Sequence, residues 1–232
     1  MRPYLVIAAL AAATSTLQTN HIDDSDRDYL VAHLEMTRQI IVDATRGLTK
    51  AQWLYSPGQA RWSIAQCVDH LANSERFVLE MVQTRLVKSA RPIEPFPSLA
   101  PSMPSAAAAP ERLPRAADAL LIRAMTDRTD AVRVPVTSRP PIEEVAPRSE
   151  IADPQTALVA FLETRSALIA YAQTTQDDLR GHFTYTRLPG YYPDFQLQDG
   201  YQWLLRMSAH TERHFMQINE VKAASSYPRV QP

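Results

Sequence analysis

Apolar residues recur at spacings of three and four along four long stretches of the chain, which is the pattern of amphipathic helices. These stretches predict helices over about 25–46, 63–88, 154–174 and 199–224. With residues placed about 100° apart, the apolar stripe of the last helix consists of Trp203, Met207, His210, His214, Ile218 and Val221. Two histidines therefore lie on a face that should meet the core, where a buried imidazole needs a polar partner.

Capping signals indicate where the predicted helices begin and end. A hydroxyl side chain followed by a polar one three residues later is typical of a capping box. Such pairs are Ser25 with Asp28, Thr49 with Gln52, and Ser63 with Gln66. Gly47 suits a helix end, and Asp153 followed by Pro154 suits a helix start.

Proline-rich connectors separate the helices. Residues 91–114 contain seven prolines and the run "SAAAA", which indicates an irregular segment rather than a hinge between two cores. A modest helix is predicted over about 115–129, followed by a second proline-rich stretch at 135–154. Residues 181–198, rich in aromatic side chains, are interpreted as a loop.

Length and composition agree with one helical domain. The 232 residues include only 5 glycines but 18 prolines, which favours long helices joined by proline-rich connectors. We therefore predict an all-α four-helix bundle, with these parts: a bundle domain at 25–224, a proline-rich connector at 91–153 and a C-terminal tail at 225–232.

Charge and cysteine content exclude several functions. The net charge is −1 and the basic residues are dispersed, so we expect no nucleic-acid partner. A single cysteine, Cys67, excludes an internal disulfide and a multi-cysteine metal site.

The N-terminus resembles a secretory signal peptide. One basic residue precedes an apolar run from Tyr4 to about Ala13, and small polar residues follow. We predict a signal peptide at 1–15, cleaved after Ala13 or Ser15, and export to the periplasm or medium. The apolar run is too short to span a bilayer. The alternative is an N-terminal helix of a cytoplasmic protein.

The two histidines of the last helix are candidate metal ligands. Residues at i and i+4 on one helix can converge on a single ion, and bundles build cofactor sites from facing helices. His70 lies at the margin of the apolar face of the 63–88 helix and is the best third ligand. Three imidazoles with an open position suit Zn²⁺. They also suit Ni²⁺, Fe²⁺, Co²⁺ or Mn²⁺, so the ligand type does not identify the metal.

The zinc-protease pattern does not fit this helix. Glu212 lies two residues after His210 instead of one and projects about 200° away from it. The alternative to a metal site is that all three histidines bind carbonyl groups or water. The cases for the remaining histidines are weaker: they are His21, His33 (interpreted as a polar edge residue) and His182 (a loop residue).

Several segments together resemble the DinB-like (YfiT-like) proteins. They are "GLTKAQW", "RWSIAQCVDHLANSE", "DDLRGH" and "DGYQWLLRMSAHTERHFMQINEVK", and they span about 25–224 in the family's order. The resemblance implies a down-up-up-down four-helix bundle, commonly a homodimer. It also implies a divalent metal held by His70, His210 and His214. Known members include metal-dependent hydrolases and transferases that use bacillithiol or mycothiol.

Two loops depart from the family pattern. The stretch "HFTYTRLPGYYPDFQLQDG" before the last helix is longer and rearranged, and the connector between the second and third helices is unusually rich in proline. The substrate is therefore unknown. The function predicted is a metal-dependent hydrolase or transferase acting on a small molecule. The alternatives are a non-catalytic metal-binding or dimeric interaction module, and a metal-free helical dimer.

The sequence names no general base and leaves open whether the site is catalytic. Glu75, Asn73 and Tyr201 are within helical reach, but each has a surface or capping explanation, and a surface role is favoured for Glu75. Cys67 is interpreted as a small buried thiol. Tryptophans 53, 62 and 203 are interpreted as packing anchors, and the stretch "RPPIEEVAPR" as a solvated loop.

Export favours hydrolysis over thiol transfer, because low-molecular-weight thiols are largely cytosolic. N-terminal sequencing of the protein recovered from its native cell should show a chain that begins after Ala13 or Ser15. An intact Met1 would contradict export.

Overall fold

The computed structural model describes residues 22–58, 61–96, 111–126, 142–188 and 192–229. The predicted signal peptide and His21 lie outside these ranges. In chain order the elements are α1 (Asp24–Thr45), α2 (Lys50–Leu54), α3 (Ile64–Met81), α4 (Asp118–Thr126), α5 (Gln155–Thr174), β1 (Phe183–Leu188), β2 (Tyr192–Asp199) and α6 (Gly200–Ala223). A π-helical turn, Val82–Leu86, extends α3, and a 3-10 turn, Glu143–Val145, precedes α5.

Side-chain caps explain most of the helix starts. The boxes Thr49–Gln52 and Ser63–Gln66 are confirmed, with both reciprocal hydrogen bonds present. The cap predicted for α1 is wrong by two residues: Asp23, not Ser25, accepts the hydrogen bond from the Asp26 N–H, at 2.8 Å. The chain leaves α1 through Gly47, whose φ of 70° is readily adopted only by glycine.

The four predicted long helices are confirmed as α1, α3, α5 and α6, and they form the bundle. Helices α1 and α6 run parallel. This follows from two hydrogen bonds: Tyr201 donates to the carbonyl of Asp26, and seven residues further along both helices Ser208 donates to the carbonyl of His33. Helices α3 and α5 are parallel to each other and opposite to that pair. Arg27 at the start of α1, for example, donates to the carbonyl of Thr175 just after α5. The topology is therefore down-up-up-down.

The aromatic stretch before α6 is not a loop. Its residues form an antiparallel hairpin in which Phe183 pairs with Asp199, and the register shifts between Thr186 and Leu188. Thr, Tyr and Phe alternate along β1, which suits a half-buried strand. The hairpin directly precedes the last helix in the chain. Asp199 at its end caps α6 by accepting a hydrogen bond from the N–H of Gln202.

The core of the four-helix bundle consists of two apolar clusters separated by a layer of buried polar side chains. One cluster includes Leu34, Val78, Leu168 and Met207, and the other Ile41, Ala72, Phe161 and Ile218. The polar layer, with one residue from each bundle helix, consists of Thr37, Glu75, Arg165 and Thr211. Each of its members lies between the two clusters along its own helix.

Arg165 forms hydrogen bonds to each of the other three residues of the polar layer. It is 0% exposed, its Nε donates to both oxygens of Glu75 at 3.1 Å, and its Nη2 donates to Thr211 Oγ1 at 2.7 Å. Nη1 donates to Thr37 and to the carbonyl of Leu34. The surface role favoured for Glu75 is therefore wrong, because the carboxylate is 1% exposed.

None of the helices in the described ranges has both the length and the apolar character needed to cross a membrane.

Replacing Glu75 with leucine should lower the free energy of unfolding by about 3–5 kcal/mol, because Arg165 would keep a buried charge without a counter-ion. Glu75→Leu combined with Arg165→Met should recover most of the loss. Urea unfolding measures both variants.

The control is Asp43→Asn, which breaks the exposed pair Asp43–Arg46 and should change the free energy of unfolding by less than about 0.5 kcal/mol. A loss for Glu75→Leu no larger than this control would contradict a role for the ion pair.

Candidate metal centre

Three histidines from two helices meet at one point between α3 and α6. Nε2 of His210 lies 3.2 Å from Nε2 of His70 and 2.9 Å from Nε2 of His214. Among the described residues they are the group of histidine, cysteine, aspartate or glutamate side chains arranged to hold a metal ion. The structure thus brings together the three residues predicted from the sequence, and their role as ligands stays a prediction.

Hydrogen bonds at the far side of two rings fix their orientation. Nδ1 of His70 donates to the Val145 carbonyl at 2.6 Å, and Nδ1 of His214 donates to Gln217 Oε1 at 2.8 Å. With the proton on Nδ1, the lone pair of each Nε2 points into the cluster, as in histidine metal sites generally. Nδ1 of His210 is buried without a partner among the described residues.

The arrangement fits a divalent cation. Ligand nitrogens about 2.05 Å from a tetrahedral Zn²⁺ lie about 3.3 Å apart, close to the two distances found. Without an ion, the Nε2 lone pairs of His70 and His214 both point at His210, which can donate at most one N–H to them. A cation placed between the rings would satisfy all three nitrogens.

Burial keeps the three rings neutral. It lowers the pKa of His70 from 6.5 to about 4, although the Val145 carbonyl acts in the opposite direction. The pKa values of His210 and His214 lie well below the ordinary value for the same main reason, and the neighbouring histidines lower them further. Neutral imidazole is the form that binds metals.

A tryptophan and a loop enclose the cluster. The Trp62 ring lies 4.8 Å from that of His70 and 5.8 Å from that of His214, measured between centroids. Trp62 is therefore a packing anchor, as predicted, but what it packs against is the histidine site. Its position two residues before helix α3 gives no sequence signal of this contact.

The interpretation of residues 139–148 as a solvated loop holds for the described charged residues Glu143, Glu144 and Arg148, which are exposed, but not for Val145. Val145 is buried and holds His70, and Arg148 forms an ion pair with Asp69 at 2.7 Å. Asn73 donates to the carbonyl of Ala146 at 2.8 Å. This loop is therefore largely exposed and also supports the site through Val145, Ala146 and Arg148.

A cavity of about 160 Å³ opens at His70 and His210. None of the described residues that line it is acidic. Most are apolar: Val78, Phe96, Met125, Ile142, Val145, Trp203 and Met207. The polar ones apart from the histidines are Ser74 and Arg206.

The other candidates from the sequence do not join the cluster. Nδ1 of His182 donates to the Ser89 carbonyl at 2.8 Å, and the Tyr201 hydroxyl donates to the Asp26 carbonyl. Cys67 is buried in an apolar cluster, where burial raises its pKa. Glu212 is near Tyr29 of α1, whose pKa is raised mainly by burial and further by the charges of Asp118 and Glu212. No general base is found among them.

Comparison with known proteins gives a family match for most of the chain. A family model described as the DinB superfamily matches residues 33–218. A solved structure, YfiT from Bacillus subtilis, described as a probable metal-dependent hydrolase with an unusual four-helix bundle topology, is 16% identical with a TM-score of 0.47. The alignment covers 89% of this chain and 91% of that one. A search of curated proteins gave no match.

The buried neutral histidines should make the metal-free protein sensitive to acid. An unfolded histidine binds its proton near pH 6.5, whereas His70 in the folded state does so only near pH 4. Between these values the unfolded state binds more protons, so stability is complete above about pH 6.5 and is lost as the pH falls toward 4. For His70 alone the loss is up to about 3 kcal/mol.

Urea unfolding of chelator-treated protein at a series of pH values measures this effect. His70→Gln should flatten the slope between pH 6.5 and 4, whereas His182→Gln, at a histidine outside the cluster, should not. Equal slopes for wild type and His70→Gln would show that His70 is not buried in its neutral form.

Proposed function

The chain belongs to the DinB superfamily, and we propose that it is a metal-dependent hydrolase whose divalent cation is held by His70, His210 and His214. The observation that carries this proposal is the convergence of three Nε2 atoms at the wall of a cavity large enough for a small molecule. The same three histidines suit Zn²⁺, Ni²⁺, Fe²⁺ or Mn²⁺.

A divalent ion at this position supplies Lewis acidity and lowers the pKa of a bound water toward about 7. The protein's own residues prepare the place for it. His70 and His214 are held in one tautomer by Val145 and Gln217. The Trp62 ring covers two of the imidazoles and keeps water from that side. Access then remains from the cavity, where a substrate would lie.

An open coordination position separates a catalytic site from a structural one. Among the described residues, no cysteine, aspartate, glutamate or further histidine joins the three ligands. That favours catalysis over the alternative in which the ion only ties α3 to α6. The described cavity wall contains no acidic residue, so the proposal names no general base among the described residues.

Hydrolysis is preferred to thiol transfer for two reasons. The predicted export would remove the protein from cytosolic thiols. Apart from His70 and His210, the described cavity wall offers only one cationic and one hydroxyl group, which leaves little to bind the many polar groups of a bacillithiol-type or mycothiol-type cofactor.

His214→Ala should abolish stoichiometric metal binding, because it removes one of only three ligands. Elemental analysis of protein purified without chelators measures this directly. In wild type, metal at 100 times its dissociation constant should stabilise the fold by about 2.7 kcal/mol. That raises the melting temperature by about 5–10 °C, and the rise should disappear in His214→Ala.

Glu212→Ala is the matched control on the same helix and should leave metal content unchanged. Equal metal content in wild type and His214→Ala would refute the assignment, and absence of metal from wild type would support the metal-free alternative.

A further inference from the structure

Arg206 places a positive charge at the cavity beside the histidine cluster. It lies on α6 one turn before His210 and lines the cavity. Its Nη1 donates to Thr186 Oγ1 at 3.3 Å and to Gln198 Oε1 at 3.2 Å, both on the hairpin. The guanidinium also lies over the Trp203 ring, 5.1 Å from the centroid. These contacts fix its position with neutral partners.

No carboxylate among the described residues forms an ion pair with Arg206. Arg165 and Arg180, which are almost fully buried, each have acidic partners. Burial, with a smaller effect from Arg213, lowers the pKa of Arg206 to about 10, so it remains protonated at neutral pH. Arg206 is only partly exposed, and a partly desolvated cation without a counter-ion is unfavourable. A charge held in this way at a cavity wall is a candidate for binding an anion.

One edge of the guanidinium is available to a ligand. Nη1 is occupied by Thr186 and Gln198, whereas Nε and Nη2 donate to no acceptor in the described part of the chain. The Nε–Nη2 edge presents two parallel N–H groups, the geometry that binds a carboxylate in bidentate fashion.

Ser74 provides a second polar group on the opposite wall. It lies on α3 one turn after His70, is 4% exposed, and its hydroxyl has no hydrogen-bond partner among the described residues. Because α3 and α6 are antiparallel, one turn after His70 and one turn before His210 lead to the same side of the cluster. Ser74 and Arg206 therefore flank the cavity on that side.

The remaining cavity wall selects for an apolar body of limited size. Phe96, Trp203 and Met207 contribute to it. Its volume, about 160 Å³, is similar to that of a cavity, roughly 150 Å³, that accepts benzene. The occupant is thus about the size of one ring.

We propose that this cavity binds a small organic carboxylate with an apolar body. The carboxylate pairs with the Nε–Nη2 edge of Arg206 and accepts a hydrogen bond from Ser74, while the body packs on Trp203 and Phe96 and reaches toward the histidines. This deepens the proposed hydrolase function and rests on it for the reacting end, but recognition of the carboxylate depends on Arg206 and Ser74 alone.

Benzoate is the probe, with benzamide as its neutral counterpart, and calorimetric titration of the full-length protein measures binding. Benzoate should bind wild type at least about tenfold more tightly than benzamide does. Arg206→Gln should weaken benzoate binding at least about tenfold and Ser74→Ala by a smaller factor, because charged hydrogen bonds are the stronger ones. Arg46→Gln removes the same charge at an exposed site and should have no effect.

Metal content and circular dichroism of each variant separate this inference from the proposed function. If wild type contains no metal but benzoate still depends on Arg206, the hydrolase proposal fails and the carboxylate site stands. Equal benzoate affinity in folded Arg206→Gln and wild type overturns the inference. So does equal affinity of wild type for benzoate and benzamide, or loss of benzoate binding in His214→Ala but not in Arg206→Gln.

Discussion

The buried ion pair between Arg165 and Glu75 sets the relative positions of the four bundle helices. Apolar clusters above and below it hold the helices together, but apolar contacts are not directional and tolerate small shifts along a helix. The guanidinium has fixed donors, and its partners are Glu75 on α3, Thr211 on α6 and Thr37 on α1. A shift of one turn would leave a buried charge unpaired. Since Thr211 follows His210 directly, the same contacts align His210 with the His70 ring.

Irregular segments complete what the helices begin. The loop at Val145 orients His70, and the hairpin residues Thr186 and Gln198 hold Arg206. The helices alone bring the imidazoles to the same level along the bundle axis. The tautomer of His70 and the position of the Arg206 charge at the cavity depend on the Val145 loop and on the hairpin. Chemistry in this fold can therefore change through its loops while the three histidines stay in place.

The helices and the histidine set were predictable because both follow from local periodicity. Spacing of three and four places His210 and His214 on one stripe, and His70 shares the core-side margin of its own helix. The sequence also contains a signal for the polar layer: Arg165 occupies a position in the apolar stripe of α5, and a charged residue there requires a buried partner. The alternation of residue types along β1 is a corresponding signal for the hairpin. The contact between Val145 and His70 could not be predicted from the sequence. It joins residues 75 positions apart through a backbone carbonyl, which any residue would supply.

Charge would distinguish a metal ion at this site from metal centres that use carboxylate ligands. Three neutral imidazoles would leave the full double charge of a divalent cation uncompensated, and the described wall of the cavity adds Arg206 but no acidic group. In an environment of low dielectric constant such a charge is stabilised by an anion more than by any neutral ligand. A carboxylate on Arg206 would supply one negative charge close to the three histidines without displacing any of them. Binding and reaction would then use separate parts of one cavity, one on the Arg206 side and one at the histidines.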